Sequence, residues 1–205
     1  MKLTTILAAG AVAATLALSS CASTKVTRVD ASTVVDVNEF WNDTDIRLVC
    51  DDLVNQCMTV MKNRIALFQQ KNERLPIVLV GRIKNDSDEH IDTGIVAKRM
   101  ENAIINSGAM DFVAGGSDRE ALRDERSQQE DYARQTAKSM TNETAADYML
   151  LGSIKTDVHY DANGKNGVRT YYVYAQLQEL ESTKIVWSGE NSEIKKVFKK
   201  AGRKM

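Results

Sequence analysis

Pro76-Ile77-Val78-Leu79-Val80-Gly81-Arg82-Ile83 is a continuous apolar run rich in β-branched residues. A strand that is apolar on both sides belongs in the middle of a covered sheet. After the polar turn Asn85-Asp86-Ser87-Asp88-Glu89, helical spacing takes over: Ile91, Ile95, Val96, Met100, Ala103 and Ile104 share one face. Asn106-Ser107-Gly108 ends that helix, with glycine as the stop signal. Met110-Asp111-Phe112-Val113 is then a short strand. Strand, helix and strand make one βαβ unit, so the two strands are expected to be parallel.

The same reading extends in both directions. Upstream, Ile46, Val49, Cys50, Leu53, Cys57, Val60, Met61, Leu67 and Phe68 keep helical period to about Gln69, with Asn42, Asp43 or Thr44 as the cap. Phe40 and Trp41 precede that cap, and core packing is expected for both. Val34 to Val37 reads as a short edge strand. Downstream, a charged helix is expected from about Asp118 to Ser139, and a short helical turn from Asn142 to Ala146. Tyr148 to Ile154 is the second strongly apolar strand and becomes alternating toward Tyr160. Val168 to Leu180 and Lys184 to Gly189 complete an antiparallel meander. Glu193 to Lys200 either extends the last strand or begins a weak helix. These elements define an α/β (α+β) single domain with a mixed sheet of about four to five strands flanked by helices.

The first 21 residues, MKLTTILAAGAVAATLALSSC, carry an address. Lys2 is a positive start, Leu3 to Leu18 is apolar and small, and Leu18-Ser19-Ser20-Cys21 matches the lipobox of bacterial lipoproteins. The run is short and gives way at once to polar CASTKVTRVD, which suits a signal peptide and not a span. Cleavage before Cys21 removes 20 of the 205 residues and leaves 185, enough for one domain with a lead-in. The expected organisation is 1–20 signal peptide, 21–33 lipidated N-terminus and tether, 34–200 globular domain and 201–205 basic tail. Ten tether residues reach about 35 Å at most.

Little in the chain points to catalysis. A net charge of −1 gives no support for nucleic-acid binding. His90 and His159 lack metal-ligand spacing. No GxSxG motif occurs, and Gly115-Gly116 has no P-loop lysine. Cys50 and Cys57 on one helix stand about 10 Å apart. A disulfide tolerates under about 7 Å, so burial as free thiols is expected. No enzyme, metal, cofactor or small-molecule substrate is expected; the one attached group is the lipid on Cys21. Two exposed features suit a protein contact: the charged helix, with Arg119, Arg123 and Arg126, and the strand bearing Tyr172 and Tyr174. For the run Tyr171, Tyr172, Tyr174, packing beneath a helix is the first expectation, and a contact surface, where tyrosine is favoured, is the functional alternative. The basic tail with Lys195, Lys196, Lys199, Lys200, Arg203 and Lys204 is expected to be solvated, with anionic head groups as a possible contact.

Four stretches resemble the LpoB-type penicillin-binding-protein activator lipoproteins. They are Trp41-Asn42-Asp43-Thr44-Asp45, Ala103-Ile104-Ile105-Asn106-Ser107-Gly108, the run from Asp118 to Gln128, and Ala146 to Ile154. The likeness spans about Val35 to Lys196. It implies a domain like the N-terminal domain of TolB. It also implies an outer-membrane lipoprotein that binds a bifunctional, class A penicillin-binding protein and stimulates peptidoglycan synthesis. Ala22 is not the aspartate of inner-membrane retention, in keeping with the outer membrane. Well-known members carry a much longer tether. A structural or assembly lipoprotein of an envelope or secretion complex is the alternative reading, and a glycan-binding module using the tyrosines is a third.

Overall fold

Two long antiparallel strands, β3 (Tyr148–Tyr160) and β4 (Asn166–Glu179), form the spine of the sheet and pair over their full shared length. The computed structural model describes residues 27–139 and 143–200. The expected signal peptide, Cys21, Asn142 and the tail residues Arg203 and Lys204 lie outside the described residues. The chain divides into two units between Thr33 and Val34. In the first, Asp30 accepts from the Ser32 amide at 2.8 Å and closes a local turn.

In the second unit, the apolar run after Pro76 forms β1 (Ile77–Asn85), flanked in parallel by β2 (Asp111–Phe112) and β3. The strand order is β2-β1-β3-β4-β5, with β5 spanning Ile185–Asn191. A sixth strand, β6 (Lys195–Lys199), exceeds the four or five expected and settles the choice left open at Glu193–Lys200. It pairs with the same edge of β4 as β5 does, further toward the strand's start, and Tyr171 N donates to Ile194 O at 3.0 Å between them.

Helix α1 (Asp43–Asn72) begins at Asn42, whose side chain accepts from the Thr44 and Asp45 amides while Asp45 accepts from the Asn42 amide. This reciprocal cap satisfies donors that a helix start leaves open. Its stripe of Val49, Cys50, Leu53, Cys57, Met61 and Ile65 is buried. Helix α2 (Thr93–Asn106), capped by Asp92, buries Val96, Met100 and Ile104. Both helices lie on one face of the sheet, over Val78, Leu150, Ile154, Tyr171, Val173, Leu177 and Trp187. Each such apolar side chain contributes about 1.5–3 kcal/mol by leaving water.

Three expectations need correction. Among the described residues no helix packs on the far face of the sheet, so β1 is covered by helices on one side only, and Leu79 on the far side remains half-buried. Met149 and Leu151 fold over Gly81 there, where an added Cβ would sit 2.6 Å from Leu151 Cδ2. The charged helix, α3, ends at Tyr132 and not at Ser139 (Gly116–Tyr132). Residues 133–139 include no large apolar residue to bury, and Thr136 N closes a turn onto Ala133 O. The described residues 143–146 carry no helical turn.

Val34–Val37 is likewise not a strand. Residues 36–41 instead pack against β4 and β6 beside the first turn of α1. Lys196, expected to be solvated, has a side chain only 7% exposed and pairs with Asp45 at 2.6 Å and Asp36 at 2.9 Å. It also donates to Phe40 O at 2.6 Å. Beside it, Arg169 pairs with Glu89 at 2.8 Å and Asp88 at 2.5 Å. Glu89 accepts from the Tyr171 hydroxyl and the Trp41 amide. The Trp41 ring packs on Tyr171, and the Arg169 guanidinium lies over Phe40. Together these groups form a clasp in which two buried cations, Lys196 and Arg169, each meet one buried and one exposed carboxylate.

Candidate partner-binding surfaces

The three arginines singled out in the sequence all belong to α3, which buries none of its residues. Leu122 is half-exposed, and Tyr132 at the helix end is 89% exposed. The arginines are nevertheless occupied. Arg119 Nε donates to Ala114 O at 2.9 Å. Arg123 grips Glu143 with two bonds of 2.8 and 3.0 Å, and Arg126 reaches the same carboxylate at 3.5 Å. The hydrogen bonds from Arg123 hold the Glu143 carboxyl below its ordinary value. A cavity of about 250 Å³ lies between α3 and the strand β2, lined by Phe112, Val113, Arg119, Leu122 and Arg126.

The tyrosines lie elsewhere. Alternation along β4 puts Tyr171 under the helices and Tyr172 and Tyr174 on the helix-free face. Tyr174 is 37% exposed. Its cross-strand neighbours are Ser153 and Glu190, while Lys155 stands opposite Tyr172. Lys84 is the partner of Ser153 on the next strand. A shallow cavity of about 370 Å³ opens here, lined by Arg82, Lys84, Leu151, Lys155 and Tyr174. The structure therefore does not gather the arginines and tyrosines into one site. It supplies the tyrosine face with other cations, which sequence inspection passed over because they are scattered over two strands.

Among the described residues no group of three or more His, Cys, Asp or Glu side chains could hold an ion. Among them, too, no helix is long and apolar enough to cross a membrane. Cys50 and Cys57 are free and buried, and burial pushes both thiols up to about 12, far from a reactive thiolate.

Two helices on one side of a mixed sheet, with the other side left to solvent, define a two-layer α/β domain. Within that class, the chain belongs to the family of the peptidoglycan-synthase activator LpoB, whose model matches residues 45–192. The match runs from the first turn of α1 to just beyond β5. It is a family of outer-membrane activators of penicillin-binding proteins. The chain is similar to the LpoB C-terminal domain from Salmonella enterica at 16% identity, covering 76% of this chain and 99% of that one, with a TM-score of 0.42. Similarity to the LpoB C-terminal domain from Escherichia coli is 15% identity over 71% of this chain and 96% of that one, with a TM-score of 0.40. Lipoprotein GNA1162 from Neisseria meningitidis matches at 13% identity over 62% and 88%, with a TM-score of 0.35. No curated protein matches the chain.

Proposed function

We propose that this protein is an outer-membrane lipoprotein that binds a bifunctional penicillin-binding protein of its own cell and activates peptidoglycan synthesis. The observation that carries the reading is the family match, which spans nearly the whole second unit and not an isolated motif. The activator performs no bond chemistry itself. It acts by binding the active conformation of the synthase more tightly than the inactive one, and a tenfold shift of that equilibrium needs a difference of about 1.4 kcal/mol. Cys21 carries the lipid, and the short tether keeps the action within a few nanometres of the anchoring membrane.

The test mixes the chain lacking its signal peptide with a purified class A synthase from the same organism. Glycan-strand formation and peptide crosslinking are then followed separately. A rise in either rate, with measurable binding, is expected. Absence of both binding and stimulation for every class A synthase of the organism overturns the reading. Palmitate labelling that Cys21→Ala abolishes checks the anchor.

A further inference from the structure

We infer that the helix-free face of the sheet is the docking surface, and that it takes an acidic protein surface around Tyr174. This rests on the reading that the protein works by binding a protein partner.

The first support is the contrast among cations. Arg74, Arg99, Arg123, Arg126 and Arg169 each have a carboxylate partner. Arg82, Lys84 and Lys155 are exposed and take part in none of the described ion pairs. All three line the same shallow cavity as Tyr174, and the acid there is Asp86, with Glu190 beside the ring. Around Tyr174 these three cations stand against two carboxylates, Asp86 and Glu190, with Asp157 following Lys155 along the same face of β3.

A second support is the arrangement of side chains. Lys84, Ser153 and Tyr174 form one row across β1, β3 and β4, and Lys155 and Tyr172 form the next. Half-buried Met149 and Leu151 adjoin them, and Ile185 on β5 is 56% exposed. An aromatic centre with apolar neighbours and a charged border is the usual anatomy of a protein contact. The apolar part supplies burial, while the free cations select carboxylates and speed encounter.

Third, the platform is rigid. β3 and β4 pair without a break from Tyr148 to Tyr160. A partner therefore meets side chains whose spacing is already set, and loses little to ordering. By comparison, α3 offers arginines already neutralised by Glu143 or held by Ala114. The cavity on the sheet is open and extends over several strands, which suits a broad surface and not an enclosed small ligand.

The experiment measures binding of the chain lacking its signal peptide to a purified class A synthase. Lys84→Glu with Lys155→Glu is expected to weaken binding by about 100-fold, and Tyr174→Ala by about 10-fold or more. Arg123→Ala on α3 should change it by less than about twofold. Circular dichroism and thermal melting check that each variant is folded. Arg82→Glu, further along the same face, gives an independent charge reversal. Binding by the parent chain that survives all the face reversals overturns the docking face but leaves the proposed function standing. Failure of the parent chain to bind any class A synthase removes both. Binding of phosphatidylglycerol vesicles or soluble muropeptides instead, lost with the same reversals, also overturns the assignment of an acidic protein partner.

Discussion

The clasp at Lys196 and Arg169 and the helix α3 are both rich in paired charges, yet they have opposite physical character. In the clasp, Lys196 and Asp45 side chains are 7% and 5% exposed, and Arg169 and Glu89 side chains are 7% and 8% exposed. Those ions have left water, so each depends on its partner for compensation. On α3, Arg123 remains 50% exposed and its bond to Glu143 competes with solvent. Surface pairs of that kind contribute little, and salt screens them. The clasp fixes where the second unit begins, whereas the α3 pairs only tie one exposed segment to another.

The largest effect should come from breaking the clasp on one side. Lys196→Met leaves Asp45 and Asp36 without their cation and should cost about 3–5 kcal/mol, read from urea unfolding. Burial already holds the Asp45 carboxyl above its ordinary value, with Lys196 pulling the other way. Adding Asp45→Asn to Lys196→Met should therefore recover about half of the loss. No recovery would mean that packing, and not the stranded charge, sets the cost. Next in size is Asn42→Ala, which removes the cap of α1 and should cost about 1 kcal/mol.

Asp147 is an intermediate case, with a side chain 21% exposed. Burial pushes its carboxyl up, but hydrogen bonds from Arg74 and the Ile77 amide outweigh this and hold it below the ordinary 3.8. Asp88 is held down chiefly by Thr156, with Arg169 adding to it and burial opposing. A depressed carboxyl binds protons more readily in the unfolded chain. Its stabilisation is therefore complete above the ordinary value and is lost as pH falls through the lower folded value. The urea midpoint should decline as acid is added below pH 3.8, and Asp147→Asn should make that decline shallower. Asp45 works in the opposite sense and moderates the fall. The smallest effect is expected for Glu143→Gln, which should leave the thermal midpoint unchanged within error. A clear drop would place α3 among the stabilising elements, alongside the clasp.

Much of the fold could be read along the chain because its signals are local. The run Ile77–Ile83, the stripe from Val49 to Ile65 and the glycine stop at Gly108 each carry their own periodicity or backbone preference. The βαβ unit and the meander followed from them. The candidate surface was only half legible. Tyr172 and Tyr174 announced themselves as a composition signal in one strand. Arg82, Lys84 and Lys155 did not, since no spacing rule links residues brought together by pairing between β1 and β3. Lys196 was misread for a related reason: among several lysines, nothing in the sequence marks the one that lies opposite Asp45.

The sequence alone determined the alternation of strands and helices, a helix cap somewhere from Asn42 to Thr44 and the burial of Cys50 and Cys57, because periodicity and local hydrogen bonding act over a few residues. Tertiary structure alone decided which side of β1 stays uncovered, that Val34–Val37 is not a strand while residues 36–41 join a clasp, and which cations near Tyr174 take part in none of the described ion pairs. Those outcomes depend on groups far apart in the chain, such as Arg169 with Glu89 and Lys196 with Asp45. Their energies exist only once folding has brought them into contact and removed the water between them.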